Sequence, residues 1–141
     1  HRAVMGLSMG GGGSTAYAQR HPDQFSSCYA MSPWLTSGPG RVGEDGVKTK
    51  MYYTMEGVKD HSALAFIDNA DDAVKEQLRT VKWFFDCGDD DGLVNDTFEL
   101  YKKMRLSRIK AEFRVRNGAH TWEYWRAALR IALPFASRNF K

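Results

Sequence analysis

The chain has 141 residues, with 43% apolar and 26% charged side chains, the composition of one ordinary globular domain. Its net charge of +3 is mild, and its Lys and Arg residues are scattered rather than striped, so nucleic-acid binding is not suggested. No apolar run approaches membrane-spanning length, and no signal or transit peptide is visible.

Ala3-Val4-Met5 is apolar and strand-like, and it leads into Gly6-Leu7-Ser8-Met9-Gly10-Gly11. A small-residue run follows and becomes helix-compatible from Ser14 to Arg20. A strand, a sharp turn with Ser at its apex, and then a helix make the nucleophile elbow of G-x-S-x-G hydrolases. The turn strains the serine backbone. Glycines at the ends of the motif remove the Cβ atoms that would collide where the strand passes under the helix. A flexible glycine turn is the competing reading of the same residues. A phosphate-cradling loop fails, because no Gly-Lys-Ser/Thr follows.

His21-Pro22-Asp23 stops the first helix, since proline disfavours helix in the residue before it. Phe25 to Met31 reads as a buried strand, with Ser32-Pro33-Trp34 at its end. Ser37 to Gly46 is a glycine-rich loop. Lys48 to Ala70 has weak helical periodicity and reads as a partly helical cap; Asp71 to Arg79 is helical. Val81 to Cys87 is a strong strand signal, followed by the acidic turn Gly88 to Gly92. Asp96 and Glu99 suggest a capping box for a helix with Phe98, Tyr101 and Met104 on its apolar face. Ala111 to Arg116 alternates as a strand with one exposed face, and Asn117 to His120 is a turn. The last helix runs from about Trp122 to Leu133, with Trp122, Trp125, Leu129, Ala132 and Leu133 on its apolar face. Cys28 and Cys87 fall in strand-like runs and read as buried free thiols.

The order β-α-β-insert-α-β-α-β-α predicts an α/β fold of about four parallel strands with crossover helices. Ligand chemistry in such sheets sits at the carboxyl ends of the strands. A serine hydroxyl needs a base to take its proton and an acid to orient that base. In this arrangement the chain order is Ser, acid, His. The sequence offers Ser8, then Asp89-Asp90-Asp91, then His120, each at the end of a predicted strand. His1, His21 and His61 fit less well: His1 opens the chain, His21 sits in a helix stop, and His61 falls in the wrong order. Asp86 still belongs to its strand and reads as structural. The residue types alone leave the acid open among the three turn aspartates.

The Ser8 elbow, Phe84-Phe85-Asp86-Cys87-Gly88-Asp89-Asp90-Asp91, and Arg114 to Trp125 together resemble one group of α/β hydrolases. That group contains esterase D (S-formylglutathione hydrolase), the enterochelin esterases, the mycolyltransferases, and the feruloyl and acetylxylan esterases of carbohydrate esterase family 1. In flavour the sequence resembles the xylan-acting members of Bacteroides-like gut bacteria. The resemblance implies Asp91 as the acid, with Asp90 second, His120 as the base, and the Met9 N–H as one oxyanion donor. It implies a serine esterase without metal or organic cofactor, and a periplasmic or extracellular setting. Gly92 departs from the bulky apolar residue usual at that position.

The resemblance also implies that residues 1–141 are the C-terminal portion of one esterase domain. The first strand would then be an open edge, awaiting the N-terminal half or a second chain. The second oxyanion donor would be missing, so these residues alone are expected to turn esters over weakly or not at all. Trp34, at a strand end, is the candidate substrate-binding residue, for a feruloyl ring or a sugar face. A thioester hydrolase or acyltransferase would share the same three side chains. A non-catalytic carbohydrate-binding or assembly fragment is the alternative outside enzymes.

Overall fold

The computed structural model describes residues 2–140. Four parallel strands, β1 (Ala3–Leu7), β2 (Ser27–Met31), β3 (Lys82–Gly88) and β4 (Ala111–Arg116), pair in the order β1-β2-β3-β4. In register, Val4 lies opposite Cys28, Cys28 opposite Trp83, and Trp83 opposite Ala111. The helices are α1 (Ser8–Arg20), α2 (Lys50–Val58), α3 (Ala63–Asn69), α4 (Asp72–Leu78), α5 (Val94–Leu106) and α6 (Trp122–Arg138). No described helix is long and apolar enough to cross a membrane.

Side chains alternate across each strand, so the sheet divides two apolar clusters. Cys28, Ala30, Trp83 and Phe85 join Ala18, Leu100 and Met104 on the side of α1, α3 and α5. Tyr29, Met31 and Phe84 join Trp125, Ala128, Ala132 and Phe135 of α6 on the other side. Strands buried on both faces read as near-continuous apolar runs, which is why β2 and β3 are so visible in the sequence. β1 pairs with β2 alone among the described residues and is half-buried along its whole length.

The predicted insert resolves into α2 and α3, capped by the Thr49 and Ser62 side chains, and Asp71 caps α4. Two helix faces differ from expectation. α5 starts at Val94, not at an Asp96 cap, and no side chain caps it. The Asp91 turn begins it early: the Asp91 carbonyl accepts from Val94 N–H, and Glu99 pairs with Lys102 instead. Its inward residues are Thr97, Leu100 and Met104, while Phe98 is exposed and stacks on Phe113 at the flank.

α6 runs on through Pro134 to Arg138, and its inward residues are Tyr124, Trp125, Ala128, Ala132, Phe135 and Ala136. Trp122 is 63% exposed, and Leu129 and Leu133 also face out. Ala128 and Ala132 let the helix lie close against the sheet, and that contact sets its rotation rather than the larger residues.

Cys28 and Cys87 are free and fully buried. Burial pushes the Cys28 thiol up to about 12 and the Cys87 thiol up to about 11. Thiolate is the reactive form, so neither should react with a disulfide reagent near neutral pH until denaturant is added. Prompt labelling of the native protein at either position would contradict this burial.

Candidate active site

Ser8 sits at the junction of β1 and α1 with φ of 52°, while Leu7 before it is extended. A non-glycine residue in this left-handed region costs about 1–3 kcal/mol and persists only where its surroundings enforce it. Here the Ser8 carbonyl accepts from Trp34 N–H at 2.9 Å. A Cβ at Gly6 would stand 2.3 Å from the Gly10 carbonyl oxygen, and one at Gly12 would stand 1.9 Å from that of Trp34. The strand, the helix and the loop after β2 therefore close on one another only with glycine at both places.

His120 lies in the loop after β4. Three strand spacings of about 4.8 Å each separate β4 from β1, yet His120 Nε2 is 2.8 Å from Ser8 Oγ. The loop is held on its way back. Asp89 accepts from Gly118 N–H at 2.9 Å, and Asp90 N–H donates to the Gly118 carbonyl at 3.0 Å. The Trp125 ring meets the His120 ring edge-on with centroids 4.8 Å apart.

The other His120 nitrogen, Nδ1, is 2.9 Å from Asp91 Oδ2. Asp91 is only 3% exposed, and its Oδ1 accepts from Leu93 N–H at 2.9 Å. Burial works against its ionisation, but the Leu93 N–H, the Ser32 hydroxyl and His120 together outweigh it and hold the carboxyl below its ordinary value. A lowered carboxyl stabilises the fold fully above about pH 4, and that contribution fades as pH falls through the lowered value. Asp91 is thus a carboxylate at neutral pH and can accept from His120 Nδ1–H, the tautomer in which Nε2 faces Ser8 Oγ as an acceptor.

Of the remaining candidates, Asp90 is exposed and Asp89 anchors the loop rather than the imidazole. Met9 follows Ser8 in the first turn of α1, where a backbone N–H has no partner within the helix. Trp34 is half-buried beside Ser8 and lines a cavity that Met9 also lines. His21 and His61 are exposed and lie apart from Asp91; His1 is outside the described residues. Among the described residues no three His, Cys, Asp or Glu side chains are grouped to hold a metal.

Two groups support this arrangement: Ser32, which the sequence reading gave no role, and Asp86, which it read as structural. Ser32 is fully buried with φ of 42°; its Oγ accepts from Trp125 Nε1–H at 3.1 Å, and its hydroxyl is one of the groups that lower the Asp91 carboxyl. It therefore braces the Trp125 ring that packs edge-on against His120. Asp86 is also fully buried; it accepts from the Tyr29 and Tyr124 hydroxyls, and its two oxygens accept from Arg116 Nη2 at 3.0 and 2.9 Å. Arg116 and Tyr124 flank the His120 loop on either side, so this carboxylate ties down both of its ends. A lone Asp within an apolar strand was the available signal, because a buried carboxylate requires partners.

No curated protein matches the chain in sequence. Among solved structures, a ferulic acid esterase superposes with a TM-score of 0.88 at 44% identity, over 100% of this chain and 52% of its own. An S-formylglutathione hydrolase from Staphylococcus aureus gives 0.70 at 21% identity, over 95% of this chain and 50% of its own. A fluorophosphonate-binding serine hydrolase of the same organism gives 0.71 at 20% identity, over 95% and 53%. The chain spans about half the length of the structures it matches. At their lower identity, the two Staphylococcus proteins speak for the shared α/β-hydrolase fold alone. The family model described as Putative esterase matches residues 1–136, and the chain belongs to that family of α/β hydrolases.

Proposed function

We propose that residues 1–141 are the C-terminal, nucleophile-bearing portion of a serine esterase domain that cleaves carboxylic esters. Its substrates are feruloyl or acetyl groups carried on plant polysaccharide such as xylan. The reading rests on one observation: an unbroken run of contacts from Ser8 Oγ through both nitrogens of His120 to a buried Asp91, at 2.8 and 2.9 Å. The 44% identity with a ferulic acid esterase supports the substrate class.

In this mechanism Ser8 Oγ attacks the ester carbonyl as His120 Nε2 takes its proton. Asp91 fixes the tautomer and stabilises the imidazolium. The Met9 N–H and the positive end of α1 face the oxyanion. His120 then hands the proton to the departing alcohol, leaving an acyl-Ser8. Water, deprotonated by the same imidazole, releases the acid and restores the site. A second oxyanion N–H comes from outside these residues. Loss of one such donor costs about 10²–10³ in turnover, so the full-length protein is the form to assay.

A fluorophosphonate probe should label the full-length protein covalently, and Ser8→Ala should abolish labelling without loss of fold. A folded wild-type protein that resists the probe would overturn the proposal.

A further inference from the structure

Among the described residues β4 pairs with β3 alone, so its other edge is open. The ladder decides which backbone groups that edge presents. Asp89 N–H donates to the Arg116 carbonyl, so Arg116 turns its backbone groups toward β3. Alternate residues of a strand turn the same way, and Glu112 and Arg114 therefore do so too. Ala111, Phe113 and Val115 hold their N–H and C=O groups outward. Of these, the Phe113 carbonyl accepts from the Arg114 guanidinium at 3.2 Å. Beside the edge lies an apolar flank. Val115 is 47% exposed and Phe98 of α5 is 46% exposed, and the Phe98, Tyr101 and Phe113 rings lie with centroids 5.6 to 6.3 Å apart. An open edge beside apolar surface is a template for another strand.

We propose that β4 pairs antiparallel with β4 of a second copy of this chain, about a two-fold axis at Phe113. Such an interface must complement itself, and the charges of β4 do so in this register. With the axis at Phe113, the outward groups of Phe113 meet those of Phe113, and those of Ala111 meet those of Val115. Glu112 of each copy then lies opposite Arg114 of the other. These are the non-hydrogen-bonded positions, where Cα atoms approach to about 4.5 Å and side chains are closest. Both cross pairs are attractive. An axis one residue away, at Glu112 or at Arg114, sets two carboxylates or two guanidiniums against each other instead. Just beyond the strand, Lys110 falls opposite Arg116, whose charge Asp86 already holds. The Phe113 carbonyl exchanges its Arg114 contact for an N–H of the second copy, which releases that guanidinium toward Glu112. Glu112 and Arg114 of one copy lie 3.5 Å apart, so the four side chains close into one alternating cluster. Charges on an edge ordinarily discourage pairing; opposite signs two residues apart turn that protection into recognition of a second copy. A standard interface buries about 800 Å² per partner, more than one short strand provides, and the Phe98, Tyr101 and Val115 flank supplies apolar area beside it.

Sedimentation equilibrium of the full-length protein at micromolar concentration tests this, and it needs no substrate. The wild type should dimerise. Arg114→Glu alone, or Glu112→Arg alone, sets like charges across both pairs and should weaken the dimer by about 10- to 100-fold. The charge swap Glu112→Arg with Arg114→Glu restores both attractions and should recover most of the wild-type affinity. Val115→Pro removes an outward N–H while sparing the β3 ladder, so it should weaken the dimer and leave the circular dichroism of the monomer unchanged. A wild-type protein that stays monomeric at every concentration overturns the proposal. A dimer that survives Val115→Pro and both single charge changes uses another face and overturns it as well. A dimer lost in the single charge variants and not recovered by the swap overturns the Phe113 register, and the proposal with it.

Discussion

Ser8→Ala or His120→Ala in the full-length protein is expected to reduce kcat on an activated ester by about 10⁶, and the double variant by about the same factor. The two act as one unit: without the base the hydroxyl stays protonated, and without the hydroxyl the base has nothing to deprotonate. Asp91→Asn is expected to cost about 10⁴, because an amide can donate to Nδ1 and so favours the tautomer that turns Nε2–H toward Ser8. Asp90→Asn should leave kcat within about threefold, as its exposed carboxylate does not reach the imidazole. Steady-state kinetics on all five proteins checks the set. Independent, multiplying effects of Ser8→Ala and His120→Ala would disprove a shared proton path. A loss at Asp90 equal to that at Asp91 would reassign the acid.

The second large effect concerns stability. Arg116→Met should destabilise the full-length protein by about 3–5 kcal/mol, because it leaves the Asp86 charge buried and without its cation. Asp86 is fully inaccessible, whereas the Arg116 side chain keeps 30% of its surface in water. The asymmetry matters: deleting the carboxylate strands a guanidinium that can still be hydrated, while deleting the guanidinium strands a carboxylate that cannot. Arg116 also lies 4.4 Å over the Tyr124 ring, so its loss removes packing as well as charge. Replacing both charges, Asp86→Leu with Arg116→Met, should recover part of the loss, since no buried charge remains. Urea unfolding midpoints measure both. An Arg116→Met midpoint matching wild type would show that the two tyrosine hydroxyls alone suffice for Asp86.

The strands were legible because Val81 to Cys87 and Phe25 to Met31 are apolar on both faces, a pattern few loops or helices produce. Ser8, the acidic turn and His120 could be singled out because each follows a predicted strand. Their meeting could not be read directly, since it depends on a loop that doubles back over two intervening strand ends. The apolar face of α6 was misjudged for a related reason. Trp122, Leu129 and Leu133 are the more hydrophobic residues, but Ala128 and Ala132 let the backbone approach the sheet, and closeness outweighed side-chain size. Arg116 looked like part of an exposed face because its partner lies 30 residues earlier, on the neighbouring strand. Residues 48–70 were opaque because two short helices and a bend carry no sustained period. Their caps, Thr49 and Ser62, went unread.

The contact between Ser8 and His120 joins positions 112 residues apart, whereas each strand pairs with its neighbour in chain order. A sheet ordered in this way can zip from adjacent segments, each closing a modest loop. The Ser8–His120 contact forms only when the first and last strands are both seated and the loop beyond β4 has folded back. On the proposed mechanism, catalytic competence would therefore be the last property gained as the chain folds and the first surrendered when any part of it opens locally. Turnover would register a loosened loop or a frayed outer strand while secondary structure still looked intact.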